Sequence, residues 1–193
     1  MPPKARITRD MILDAAFDLV RAEGHEALNV RTLAKRLGCS TQPILYNFAA
    51  VEELKDAVYQ RADEFHTAYI LPKGGEGADA LLELGLNYVR FGYEEKHLFR
   101  FLFESDRFGG MDFKGLLRWP GSDELVAILA EALGCPAAEA EKLFMTFFAV
   151  AHGLASLLCN NAMEYDETEC AAMLETVFNG ALAALTSKGE EYA

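Results

Sequence analysis

The chain has 193 residues, of which 51% are hydrophobic, and its formal net charge is −12. This length and apolar content suffice for a buried core and exclude a wholly disordered chain. The charge is uneven. Residues 1–50 carry seven Lys/Arg and five Asp/Glu, a balance of +2, which leaves 11 basic and 25 acidic residues, or −14, for residues 51–193. We therefore expect any surface that binds a polyanion to lie near the N-terminus of an otherwise acidic protein.

The cysteine pattern and the N-terminus indicate a reduced, cytoplasmic protein. Cys39, Cys135, Cys159 and Cys170 form no C-x-x-C pair and have no histidines at zinc-ligand spacing, so we predict neither a metal site nor a cofactor. Redox sensing by a thiol is the alternative to simple burial. The first ten residues contain no apolar signal region, and we expect no apolar run that approaches the length of a membrane span.

The N-terminal residues predict a short basic arm followed by two helices. Pro2 and Pro3 oppose helix formation in the arm. Thr8 is suited to the N-cap of a first helix that ends near Gly24, and Asn29 is suited to the N-cap of the second.

Residues 30–49 predict two short helices joined by a tight turn. Their apolar side chains recur at helical spacing on both sides of a break, at Val30, Leu33, Ala34, Leu37, Ile44 and Phe48. Gly38 can end the first helix, Ser40 can cap the next, and Pro43 falls in its first turn. This arrangement is typical of a helix-turn-helix, whose second helix enters the DNA major groove. A compact helical hairpin without that role is the alternative.

The rest of the chain also predicts helices. A fourth helix is expected from Val51 to about Tyr69, and the Pro-Gly-rich run 71–75 predicts a domain boundary. We therefore divide the chain into a domain at residues 1–70 and a larger one at 76–193. The helices expected in the larger domain span about 78–95, 97–105, 123–133, 137–160 and 167–187, with a Gly-rich loop at 108–121. The predicted fold class is all-α.

Residues 8–66 resemble the TetR (tetracycline-repressor-like) family of transcriptional regulators. The first helix ends in a glycine, about six residues lead to the helix-turn-helix, and Phe48 precedes the Glu-Glu-Leu that opens the fourth helix. The stretch 147–158, FFAVAHGLASLL, is similar to a helix in the ligand-binding domains of some members.

The resemblance implies a dimeric repressor that binds a palindromic double-stranded DNA operator and is released by a small-molecule effector. It also implies a homodimer formed through the last two long helices, and a protein that is not an enzyme. Its implied DNA-binding residues are Lys4, Arg6, Arg31, Thr32, Ser40, Thr41, Gln42, Pro43, Tyr46 and Asn47. Among them, Thr41 and Gln42 have the chemistry to contact thymine and adenine.

Two positions depart from the family pattern. Leu45 stands where members usually have a phosphate-contacting Tyr, and Val51 stands where they usually have a Lys. The loss of two phosphate contacts is expected to weaken binding and to flatten its salt dependence.

The larger domain has candidates for an apolar ligand pocket. They are Tyr88, Phe91, Phe99, Phe103, Trp119, Phe147, Phe148 and His152. Ordinary packing in a helix-bundle core is the alternative for each of them.

An apolar stripe on the last two helices fits a dimer seam, and burial within one subunit is the alternative. The stripe comprises Leu143, Phe147, Val150, Leu154, Leu157, Leu174, Val177, Phe178, Ala181 and Leu185, with small residues at Ala151, Gly153 and Ala155.

An enzyme is the rival class, but the sequence has no nucleophile–His–acid arrangement and no phosphate-binding Gly loop after a strand. A transcriptional activator is the alternative to a repressor, because a helix-turn-helix protein can either activate or repress transcription.

Overall fold

The structure, a computed structural model, describes residues 7–74, 77–105, 112, 115 and 122–190, with the backbone alone at 78 and 185–190. The described residues form α-helices and no strand, which confirms the all-α prediction. The helices are α1 (Arg9–Glu23), α2 (Val30–Arg36), α3 (Gln42–Asn47), α4 (Val51–Ile70), α5 (Gly77–Glu94), α6 (Lys96–Phe103), α7 (Ser122–Leu133), α8 (Ala137–Asn160) and α9 (Glu167–Glu190). The Gly-rich loop predicted at 108–121 lies almost entirely outside the described residues.

The starts of α1 and α2 confirm the two predicted N-caps. The Thr8 hydroxyl accepts a hydrogen bond from the backbone N–H of Met11 at 3.2 Å. The Asn29 Oδ1 accepts from the N–H groups of Arg31 at 3.1 Å and Thr32 at 3.0 Å. Each side chain therefore satisfies donors that a helix N-terminus leaves without an intrahelical partner.

Gly38 makes the turn between α2 and α3. Its φ is +63°, in the left-handed region that favours glycine. The Gly38 N–H bonds to the carbonyl of Lys35 at 3.2 Å, and the Cys39 N–H bonds to that of Ala34 at 3.0 Å. These two bonds are the Schellman arrangement that closes a helix C-terminus, and they aim the chain into α3.

Ser40 does not cap α3, so that prediction was wrong. The helix begins at Gln42, and Thr41 occupies the cap position with helical φ −69° and ψ −18° and no side-chain cap bond. An N-cap side chain bonds to the N–H two or three residues later. Because Pro43 has no N–H, a cap at either Ser40 or Thr41 loses one of its two possible donors.

The chain divides into two compact units. One contains the described residues up to Ala68 together with Glu95–Ser105, and the other contains Tyr69–Glu94 together with the described residues from 112 onward. The predicted boundary lies close to the first of these junctions. The prediction placed residues 95–105 in the larger domain, whereas the structure groups α6 with the N-terminal unit.

The N-terminal unit has one core to which five helices contribute. Its fully buried residues include Ile12 and Val20 of α1, Leu33 of α2, Ile44 of α3, Leu54 and Val58 of α4, and Leu98, Phe99 and Leu102 of α6. The Tyr59 hydroxyl of α4 donates to the Leu102 carbonyl of α6 at 3.3 Å. Arg21 Nε of α1 donates to Glu95 Oε2 at 2.8 Å, just before α6 begins. Polar bonds at both ends of α6 thus accompany its apolar packing.

The C-terminal unit is built around α8, which packs against α5, α7 and α9. Two glycines of α5, spaced two helical turns apart, face α8 at close range. A Cβ on Gly85 would lie 2.5 Å from the Phe147 ring, and a Cβ on Gly92 would lie 2.8 Å from the Ala155 Cβ. Both positions therefore require glycine for this packing.

Among the described helices, α8 alone is long and apolar enough to cross a membrane by length and composition. The expectation that no apolar run reaches this length was therefore wrong. A core helix of a soluble protein passes the same test, and α8 packs on three neighbouring helices. We therefore interpret α8 as the core helix of its unit.

Candidate nucleic-acid interface

The short helix α3 has one buried and one exposed face. Ile44 and Phe48 are each 1% exposed, whereas Leu45 is 53% and Tyr46 82% exposed. Gln42 is also exposed. Residues three and four apart lie side by side on a helix, so Gln42, Leu45 and Tyr46 form one outward surface, which we call the reading face.

The remaining predicted residues of this segment border the reading face. Thr41, Pro43 and Asn47 are half-buried, and Ser40 is exposed. The Asn47 side-chain amide donates to the Pro43 carbonyl at 2.7 Å, so one of its polar groups is already used within the helix. Asn47 is consequently less free to contact DNA than Gln42.

The preceding helix presents cations next to this segment. Arg31 is exposed at the start of α2, and Thr32 beside it is half-buried. Lys35, which the sequence analysis missed, is exposed one turn after Arg31 on the same face of the helix. Within the described residues neither cation has an ion pair, whereas Arg36 lies 3.8 Å from the Glu23 carboxylate. The four-residue spacing from Arg31 was the signal that could have found Lys35.

A polar cluster fixes the junction between α3 and α4. The Arg9 guanidinium lies 4.2 Å from the centre of the Phe48 ring and donates to Glu53 Oε1 at 3.0 Å. Glu53 Oε2 accepts from the Ala49 N–H at 2.8 Å. This backbone hydrogen bond, and then Arg9, lower the pKa of Glu53, so its carboxylate stays charged and keeps holding the turn.

Three other predicted positions need separate mention. Lys4 and Arg6 lie outside the described residues. Val51, the second departure from the family pattern, is the half-buried first residue of α4.

Curated relatives match part of the chain. It is 31% identical over 78 residues to the tetracycline repressor protein class D of Escherichia coli, and equally to the class H protein of Photobacterium damsela subsp. piscicida. The match covers 40% of this chain and about a third, 36%, of the length of each relative. No family model matches the chain.

Solved structures share the fold over nearly the whole chain. A TetR-like transcriptional regulator from Rhodococcus sp. RHA1 has a TM-score of 0.65 at 18% identity and covers 92% of this chain and 99% of its own. A second TetR-family protein from Rhodococcus sp. has a TM-score of 0.61 at 19% identity, with 90% and 98% covered. These likenesses concern the fold, and the repressor match adds sequence kinship. Sequence similarity to tetracycline repressors is thus confined to part of the chain, and the wider likeness to TetR-like structures is one of fold.

The ligand pocket predicted for the larger domain is only partly assembled in the described residues. Of the eight predicted pocket residues, the structure brings three together: the Tyr88 hydroxyl and His152 Nδ1 lie 2.9 Å apart, and the Phe148 ring lies 5.4 Å from that of Tyr88. Phe91 and Phe147 are fully buried core residues.

The other three predicted pocket residues do not join this group. Phe99 and Phe103 lie in α6, and therefore in the N-terminal unit. The helical periodicity of residues 97–105 does not indicate that α6 returns to that unit. Trp119 lies outside the described residues.

The predicted dimer seam needs a correction, because part of it is the core of the subunit. Leu143, Phe147, Leu174 and Phe178 are buried, with the Phe147 and Phe178 rings 6.5 Å apart, and so are the small residues Ala151 and Ala155. Of the rest, Val150, Leu154, Val177 and Ala181 are half-buried, Leu157 and Gly153 are exposed, and the Leu185 side chain is not described. Both faces of α8 are apolar, so periodicity alone did not separate the residues buried within the subunit from the exposed ones.

Part of the surface of α8 and α9 is exposed and mainly apolar, and it includes Gly153 and Leu157 of the predicted stripe. It comprises Ala149, Gly153 and Leu157 of α8 and Met173, Thr176 and Gly180 of α9, which we call the outer face. A Cβ on Gly153 or Gly180 would meet no atom within 4 Å. The Thr176 hydroxyl donates to the Ala172 carbonyl of its own helix at 2.7 Å, which leaves little unsatisfied polarity there.

Proposed function

We propose that this protein is a sequence-specific, DNA-binding transcriptional regulator that acts as a dimeric repressor. The reading face of α3 carries the proposal. There the amide of Gln42, the aliphatic side chain of Leu45 and the phenol of Tyr46 are exposed, on a helix whose opposite face packs in the core. Such a helix enters the major groove, where side chains reach base edges. The curated relatives are themselves tetracycline repressors by name.

Phosphate anchoring is assigned to α2 and to the arm. Arg31 and Lys35 are exposed cations on one face of α2. In a helix-turn-helix the first helix crosses the DNA backbone, where unpaired cations release counterions. Thr32, Ser40, Thr41, Pro43 and Asn47, together with Lys4 and Arg6 of the arm, complete the proposed footprint.

Dimerisation is assigned to the outer face of α8 and α9. Two protomers related by a two-fold axis can pair these helices as a four-helix interface. Small residues at Ala149, Gly153 and Gly180 permit close helix approach, and Leu157 and Met173 supply apolar area. A dimer of this kind reads a palindromic operator, since each half-site meets the same helix.

A small-molecule effector is assigned to the C-terminal unit, beside Tyr88, Phe148 and His152. This group combines aromatic faces with a hydroxyl and a ring nitrogen, which is the mixed lining that small-molecule sites use. The protein acts in the cytoplasm, where both DNA and effector are accessible.

A random-duplex selection with the purified protein at about 100 mM salt tests the DNA-binding proposal. We expect enrichment of an inverted repeat whose half-sites lie about one DNA turn (~34 Å) apart. Recovery of no sequence by a protein that sediments as an intact dimer would contradict it.

The salt dependence of binding tests the phosphate anchors. Arg31→Gln and Lys35→Gln are each expected to lower the slope of log K against log salt by about 1. Lys142→Gln is the matched control, because Lys142 pairs with Glu139 in the other unit and should leave the slope unchanged.

Reporter expression separates repression from activation. With the selected operator upstream of a reporter, the protein is expected to lower expression, and a rise would identify an activator. An effector is then a small molecule that restores expression and weakens operator binding in vitro, because release requires differential affinity for the two states.

A further inference from the structure

The segment that forms the reading face contains no cationic side chain. From Leu37 through Leu54 there is no Lys, Arg or His. The commonest specific contact to a base is an Arg or Lys that bonds to guanine O6 and N7. This helix cannot make that contact, so its discrimination must come from other chemistry.

The exposed surface of the reading face is mainly aliphatic and aromatic. Leu45 is 53% exposed and Tyr46 82% exposed, on a helix whose other face is buried. Leu45 has no polar atom, so it cannot replace a tyrosine as a phosphate ligand. The apolar feature of the major groove is the 5-methyl group of thymine.

Gln42 supplies the one exposed amide of this surface, one turn before Leu45 and Tyr46. A glutamine amide can bond to adenine N6 and N7 together. An A·T pair therefore offers partners for both kinds of side chain, an adenine edge for the amide and a thymine methyl for the apolar groups.

We propose that each operator half-site is read at A·T pairs, with Leu45 packed on a thymine methyl and Gln42 bonded to an adenine. This inference rests on the proposed DNA-binding function and specifies what that surface recognises. It makes Leu45 a specificity-determining residue, where the family resemblance alone suggested only a lost phosphate contact.

Replacing thymine by uracil in the operator tests the inference, because it removes the methyl group and keeps the base pair. In the sequence obtained by selection, each thymidine is replaced singly by deoxyuridine, and the dissociation constant is measured. We expect about fourfold weaker binding at one or two positions per half-site. This is the loss of affinity expected when one buried methyl-sized group is removed from the interface.

A Leu45→Ala variant assigns the contact. It should bind the thymine operator more weakly and lose the difference between thymine and uracil at the same position. Leu71→Ala is the matched control, because Leu71 is 55% exposed but lies after the end of α4. That variant should retain the full difference, and both should keep the melting temperature of the parent protein.

The outcomes separate this inference from the function on which it rests. An operator that is bound with equal affinity after every uracil replacement overturns the methyl contact and leaves the DNA-binding function intact. A uracil effect that persists in Leu45→Ala overturns the assignment to Leu45. Failure to select any operator overturns the DNA-binding function itself.

Discussion

The two units expose apolar side chains in different ways. On α3, two large side chains, Leu45 and Tyr46, project from a helix of six residues. On α8 and α9 the exposed apolar surface is longer and includes small residues such as Gly153 and Gly180. Projecting side chains suit a groove with discrete base edges, whereas a smooth helix surface suits another helix. This difference supports the proposal that DNA binds the first surface and a second copy of the chain packs on the other.

The interiors of the two units also differ. In the N-terminal unit, the helix-turn-helix depends on single buried side chains such as Phe48. In the C-terminal unit, close helix packing depends on residues without side chains, Gly85 and Gly92. Removing atoms at Phe48 should therefore destabilise the first unit, and adding atoms at Gly85 or Gly92 should destabilise the second.

The largest expected effect is that of Phe48→Ala. Phe48 is 1% exposed, so its truncation should lower the free energy of unfolding by about 3–5 kcal/mol, measured in urea. Tyr46→Ala on the same helix is the control and should change stability by less than about 0.5 kcal/mol while it weakens operator binding. Equal destabilisation by the two variants would contradict the two-faced account of α3.

Acid should destabilise the N-terminal unit through His66. Burial beside the Phe103 ring lowers the pKa of His66 to about 4 from 6.5. The unfolded chain takes up the proton first as the pH falls. The free energy of unfolding is therefore highest above pH 6.5 and decreases as the pH falls toward 4. The expected loss is about 2 kcal/mol at pH 5.

A His66→Leu variant isolates that effect. Its free energy of unfolding should fall less than that of the parent protein between pH 7.5 and pH 5. Parallel pH profiles for the two proteins would show that His66 does not cause the acid sensitivity.

In the C-terminal unit, Gly85→Ala should destabilise by about 1–3 kcal/mol, because the new Cβ would lie 2.5 Å from the Phe147 ring. Gly74→Ala is the matched control. It adds the same atom where no neighbour lies within 4 Å, outside the proposed dimer surface, and should change stability by less than about 0.5 kcal/mol. Thermal unfolding of both variants measures the contrast, and a similar loss in each would contradict the packing of α5 on α8.

The smallest effect is expected from Tyr88→Phe. It removes the hydroxyl 2.9 Å from His152 Nδ1 and should lower stability by about 0.5–1.5 kcal/mol. Tyr46→Phe, which alters an exposed phenol, should leave the free energy of unfolding unchanged. A larger loss from Tyr46→Phe would contradict the buried and exposed assignments of the two tyrosines.

Local rules in the sequence predicted much of the N-terminal unit. Thr8, Asn29 and Gly38 act through bonds within a few residues, so spacing and residue type were enough to place them. The Ser40 cap did not form, and Pro43, three residues later, lacks one of the two N–H groups to which a cap at Ser40 could bond. The exposed Lys35 was predictable from its spacing to Arg31.

The packing between helices that are distant in the chain could not be predicted from the sequence. The return of α6 to the N-terminal unit joins residues 95–105 to α1 and α4, with a separation of 74 residues between Arg21 and Glu95 and of 43 between Tyr59 and Leu102, and no periodicity predicts such a contact. Periodicity likewise could not separate the buried residues of α8 from its exposed ones. Phe147 and Leu157 are both apolar residues of one helix, yet the first is buried and the second is 52% exposed.

The most direct test of the account is the affinity of the Gln42→Ala, Tyr46→Ala double variant for the selected operator and for an unrelated duplex. Both residues are exposed, so the variant should fold and dimerise like the parent protein. The account predicts that specific binding is lost while weak, salt-sensitive binding to both duplexes remains, since Arg31 and Lys35 are intact. Unchanged preference for the operator would show that α3 does not read DNA.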